Sequence, residues 1–142
     1  VKPPVFARIS DGAQQVIWGT RHLMIAILHG RSVPASVSRS FDGPDSTNAY
    51  ASLISFVLLA ARDADRPLVI NPPCCQELSS DEVNIAAALS ALTRDSSCAL
   101  GCLRALIGGE PSAALCRQAA LIADHFAAVG LGMGLGDTQF AA

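Results

Sequence analysis

The chain has 142 residues, long enough to bury a core without disulfides or metal, and they fit one domain, 1–142. Apolar residues make up 51% and charged residues only 15%, with a net charge of −2, which argues against a nucleic-acid-binding protein and suggests apolar surface covered by a second copy in a homodimer. No stretch qualifies as a membrane span: the best, Ser46 to Ala61, holds 16 uncharged residues including Thr47, Asn48, Ser52 and Ser55, where a span needs about 20 mostly apolar ones.

Residues 1–12 contain Pro3, Pro4 and Gly12 and read as an extended arm without a secretory pattern, so a cytoplasmic location is expected. From Ala13 the pattern becomes helical. Ile17, Met24 and Leu28 share one side, with Val16, Leu23 and Ile27 beside them. Asp11 is the expected N-cap and Gly30 the expected stop. Gly19 weakens this helix by about 1 kcal/mol relative to alanine.

Residues 30–46 are rich in Ser, Pro, Gly and Asp and read as a loop with a helical turn at 34–39. A second helix is predicted over 47–64. Tyr50, Ile54, Val57 and Ala61 form one stripe on it, and Leu53, Phe56 and Ala60 another. Residues 66–70, RPLVI, are β-like in composition. They would pair with the N-terminal arm or with their copy in a dimer, or serve as a plain connector.

The segment NPPCCQELSSDE, 71–82, starts rigidly at Pro72 and Pro73. It ends in a capping box, with Ser79 as N-cap and Glu82 at N3, and Leu78 and Val83 are placed for a hydrophobic staple. A helix follows to about Thr93, with Ile85, Leu89 and Leu92 facing inward. Asp95 or Ser96 caps the next, over 97–107, which stops at Gly108. Pro111 is expected at N1 of a last helix over 111–129, with Leu115, Ile122, Phe126 and Val129 facing the core. The run from 130 to 142 alternates Gly with Leu or Met. It lacks G-x-G-x-x-G because position 135 is leucine, so it reads as a glycine-rich tail, not a phosphate loop. The fold class expected is all-α, a bundle of about five helices with one short extended segment at 66–70.

Five cysteines without a C-x-x-C pair suggest reduced thiols rather than a disulfide framework. Cys98 and Cys102 are four apart on a predicted helix, so both thiols face one way. If the Cys74–Cys75 turn folded over that helix, the four thiolates could surround a zinc ion. The simpler reading is packing, since free cysteine behaves as a small apolar residue. A thiol near a helix N-terminus is favoured as thiolate, but Glu77, Asp81 and Glu82 oppose this at Cys75.

His22 and His29 lie two turns apart on one helix, too far for one ion, and His125 reads as a boundary residue. With glutamate only at 77, 82 and 110, a di-metal carboxylate bundle is excluded. No G-x-S-x-G or S-x-x-K motif appears. Cys116 and His125 are nine residues apart on one helix, roughly 13 Å. The 97–107 helix carries only Arg104, which does not suit DNA reading.

The charge is uneven. Residues 1–41 carry five basic residues and one acid (+4), and the remainder five arginines and eleven acids (−6). The five front cations are scattered, which suits packing against the acidic body of the same chain. The function expected is therefore a noncatalytic, self-associating helical interaction or regulatory module. The alternative is a thiol-based metal or redox protein using Cys74, Cys75, Cys98 and Cys102. An enzyme or ligand binder with a pocket between helices comes third, because no acid–base pair is apparent.

Overall fold

The computed structural model describes residues 4–41 and 49–128. Among these residues six α-helices pack together: α1 Asp11–His29, α2 Ala35–Arg39, α3 Ala49–Asp63, α4 Ser80–Ala91, α5 Ser96–Ile107 and α6 Ala113–Ala128. The architecture is all-α. The sixth helix is the turn expected at 34–39, which completes one short helix. The expected start of the second helix at 47–48, Val129 and the 130–142 tail lie outside the described residues.

Local chemistry explains most helix ends. Ser10, not Asp11, caps α1 by accepting from the Ala13 N–H, and Asp11 takes the first helical position, where its charge suits the helix dipole. Gly30 ends α1 in the left-handed region at φ 62°. The capping box of α4 forms in full: Ser79 Oγ accepts from Glu82 N at 3.1 Å, and Glu82 Oε1 accepts from Ser79 N at 2.9 Å. Leu78 and Val83 both pack on the core. Asp95 caps α5 by accepting from Ser97 N and Cys98 N. Pro111 is not the first residue of α6. Ser112 accepts from Leu115 N at 3.1 Å and caps a helix that begins at Ala113, because its hydroxyl can satisfy an end N–H that proline cannot.

The arm is not wholly extended. Residues Phe6–Arg8 form one 3-10 turn. Among the described residues, 66–70 do not pair with the arm. The arm pairs with the end of the proline–cysteine segment instead, through Phe6 N to Gln76 O at 2.6 Å and Leu78 N to Pro4 O at 2.8 Å, around a single antiparallel bridge between Val5 and Glu77.

α3 and α6 lie side by side and antiparallel. Arg62 and then Ser112 hold the Asp63 carboxyl below its usual range, so the end of α3 meets the start of α6. At the other end, the Phe41 ring contacts both Tyr50 and Phe126. α4 and α5 form a second pair, and α1 crosses α3 and α4. Leu53, Phe56, Leu89, Leu106, Leu115 and Phe126 are fully buried between these layers.

Gly19 sits where α1 comes closest to α3. A Cβ there would lie 2.9 Å from Leu53 Cδ2 and 3.1 Å from the Phe41 ring. Its helix-weakening residue type is thus the condition for the crossing.

Candidate functional site

The first half of α1 is buried, at Val16, Ile17, Thr20, Arg21 and Leu23. Arg21 shares the stripe of Ile17, Met24 and Leu28, and it is only 1% exposed. A guanidinium in such a place must be paired and hydrogen-bonded. Its Nε donates to Glu82 Oε2 at 2.7 Å and its Nη2 to Glu82 Oε1 at 3.1 Å. The same group donates to the carbonyl of Cys75 at 2.7 Å and to that of Glu77 at 2.9 Å. The Phe6 ring covers its Cζ at 5.3 Å.

Glu82 therefore serves two purposes. It closes the capping box of α4 and neutralises Arg21, with no exposed surface of its own. Asn71 Nδ2 adds a donor to the Glu77 carbonyl at 2.8 Å. The turn containing both cysteines is thus tied to α1 through its backbone, not its sulfur atoms.

A second pair fixes 66–70. Arg66 grips Asp81 with two bonds, at 2.7 and 2.9 Å, and Val69 N donates to the same carboxylate at 2.7 Å. Ser79 Oγ donates to Val69 O at 2.5 Å. Burial alone would raise the Asp81 pKa. The Arg66 hydrogen bonds, the Val69 N–H and the Arg66 charge outweigh it and hold the carboxyl below its ordinary value. Within the β-like segment, Val69 thus satisfies both its backbone N–H and its carbonyl with side chains from the start of α4.

Neither pair was anticipated from the sequence. The available signal for Arg21 was a charge placed within an apolar stripe. For Glu82 the capping box accounted for one oxygen and hid the need for a partner at the other.

The thiols take different positions. Cys74 and Cys98 are exposed, while Cys75, Cys102 and Cys116 are half-buried. Packing describes Cys102 and Cys116, which lie against the core, but not Cys74 or Cys98. Burial first, and then Cys98, push the Cys102 thiol upward. The convergence of Cys74, Cys75, Cys98 and Cys102 expected of a zinc site does not occur. Among the described residues no group of three or more His, Cys, Asp or Glu side chains is arranged to hold an ion. The rigid prolines and the Arg21 contacts place the 74–75 turn against α1, whereas Cys98 and Cys102 ride on α5.

His125 is not a boundary residue: it is 4% exposed and its ring meets Phe126 edge-on at 5.2 Å. His22 packs its ring against Trp18 at 5.0 Å, and His29 is exposed at the end of α1.

Two apolar surfaces remain open. At the end of α1, Ile27 and Leu28 are 48% and 69% exposed, contrary to the inward stripe expected. Beside them lies a cleft of about 380 Å³ against Ile70 and Pro72, walled by Met24, Ile25 and Leu28, with His29, Arg31 and Asn71 as polar groups. The other surface lies on the α3–α6 pair, where Leu58 and Leu121 are 49% and 40% exposed. No described helix is long and apolar enough to cross a membrane. No family model, curated protein or solved structure matches the chain.

Proposed function

We propose that this protein is a noncatalytic helical interaction module that acts as a homodimer. The observation that carries the reading is the exposure of Leu58 and Leu121 on two adjacent helices of a chain with only 15% charged residues. Large apolar side chains left exposed favour a covering partner, and closed twofold dimers are the commonest way for a chain to supply one. The charged groups nearest the core are consumed in structure. Arg21, Glu82 and Asp81 are each held by several internal bonds, which supports a scaffold role over acid–base chemistry. Five cysteines without a cross-link fit the reducing cytoplasm.

Sedimentation velocity across roughly 1 to 200 μM tests this, a range matched to micromolar affinities. The expected result is a species of twice 14.7 kDa that dissociates on dilution. A 14.7 kDa species throughout would refute it.

One observation favours a second reading, a thiol-based metal or redox function. It is the placing of Cys98 and Cys102 one turn apart on α5, with Cys98 exposed and its thiol helping to raise the Cys102 pKa. This reading retains only that pair of the four cysteines. Its test is metal analysis of the reduced protein, together with thiol titration before and after denaturation. Bound metal at substoichiometric background, with all thiols behaving as independent groups, would end it.

A further inference from the structure

Within α6 the exposed positions are Ala113, Arg117, Leu121, Asp124, Ala127 and Ala128. At 3.6 residues per turn, Ala113, Arg117, Leu121, Asp124 and Ala128 fall within an arc of about 80°. This outer stripe has a symmetry of its own. Reversing the helix about the point between Ala120 and Leu121 places Ala113 on Ala128, Ala114 on Ala127 and Arg117 on Asp124.

We propose that the dimer forms by antiparallel packing of α6 against α6 of a second copy, with the twofold axis between Ala120 and Leu121. The inference rests on the self-association reading and names the face that mediates it. An isologous interface must be complementary to itself under a twofold rotation. Here Arg117 faces Asp124 of the partner subunit, and Asp124 faces Arg117 of the partner subunit. Each charge stands about 5 Å along the helix from the axis.

Leu121 lies beside that axis and meets its own copy. The alanines at both ends of the stripe present small side chains, which permits the short end of the 8–10 Å range of interaxial distances. On the adjacent α3, Leu58 is a further large apolar side chain left exposed.

The charges are free for this role. Among the described residues, neither Arg117 nor Asp124 takes part in an ion pair or a side-chain hydrogen bond within its own chain. Seven residues separate them, about 10 Å along the axis, with Leu121 between, so they do not neutralise each other. Other exposed charges do find internal partners, as Arg104 does with Glu110 and Arg62 with Asp63. The face around Ile27 and Leu28 suits a twofold contact less well. Arg31 lies beside its cleft and, among the described residues, no carboxylate lines it, so pairing it with its copy would oppose like charges.

Charge reversal tests the proposal on the full chain. R117D puts an acid opposite Asp124 at both symmetric contacts, and D124R puts two arginines together. Each single variant should weaken dimerisation by about tenfold or more, since both attractive contacts become repulsive. The double variant R117D/D124R restores both pairs with their signs exchanged and should return the dissociation constant to within about threefold of the parent, as double-mutant cycles of directly paired residues show. Both positions are solvent-facing, and far-UV circular dichroism confirms that each variant is folded. Rescue by the double variant is the supporting result. A parent dimer indifferent to both single reversals, or singles that weaken it without rescue, would overturn this face while leaving self-association standing. A monomeric parent would overturn both.

Discussion

Glu82→Gln gives the most direct test of how this fold is held together. The substitution keeps the shape of the side chain and removes its charge. In the native protein the Glu82 carboxylate accepts from Arg21 Nε, Arg21 Nη2 and Ser79 N, at 2.7, 3.1 and 2.9 Å. Arg21 is 1% exposed and Glu82 fully buried, so the variant leaves a guanidinium in the interior without a counter-charge. Breaking one side of a buried ion pair costs about 3–5 kcal/mol. The whole stability of a 142-residue domain is of the order of 7–20 kcal/mol, so the loss is a large fraction of it.

Arg21→Met should cost a similar amount, by stranding the carboxylate instead. The double variant Arg21→Met/Glu82→Gln has no buried charge. What remains is the loss of a donor to the Cys75 carbonyl, at about 1–3 kcal/mol, while the Glu77 carbonyl keeps Asn71. The double variant should therefore be no less stable than the worse single variant by more than about 2 kcal/mol, far short of additivity. Urea unfolding followed by circular dichroism and Trp18 fluorescence measures all four corners of the cycle. Arg21→Met should also quicken the reaction of Cys75 with a thiol reagent, because its turn loses its anchor. A cost under about 1 kcal/mol for Glu82→Gln, or strictly additive single effects, would refute the view that this pair fastens the 71–82 segment to α1.

Asp81 is held below the ordinary carboxyl value by Arg66 and the Val69 N–H against the opposing effect of burial. Its stabilisation is present above the unfolded value of about 3.9 and lost as pH falls through the lower folded value. Acid titration of the native protein should show this limb below about pH 4, and Asp81→Asn should flatten it. Gly19→Ala gains about 1 kcal/mol of helix propensity but drives a methyl group into Leu53 and Phe41. Overpacking of about 1–3 kcal/mol should leave the variant no more stable than the parent, and a raised melting temperature would contradict the close crossing. Gly108→Ala should cost clearly more than Gly30→Ala in the same melts. Both positions have positive φ, but a Cβ at 108 would fall 2.3 Å from Asp65 Oδ2, while nothing lies within 4 Å at 30. Thiol labelling of the native protein should mark Cys74 and Cys98 ahead of the other three, with Cys102 slowed further by its raised pKa; mass mapping of the labelled peptides checks the order.

The sequence by itself determined the helices and most of their ends. A capping box, a left-handed glycine or an apolar repeat acts over a few residues, so Ser79–Glu82, Gly30, Gly108 and the stripe of Leu115, Ile122 and Phe126 were legible without coordinates. Short-range reading reached its limit where two local signals competed, as at Ser10 against Asp11 and Ser112 against Pro111. Only the tertiary structure decided which apolar positions are covered. Ile17 and Leu28 belong to the same predicted side, yet Ile17 is buried and Leu28 exposed, because burial depends on which neighbours reach each turn. It also decided that Arg21 meets Glu82 across 61 residues, and that the cysteine turn and the α5 thiols stay apart. Such contacts arise from the folding of distant segments onto one another, and no period or spacing along the chain encodes them.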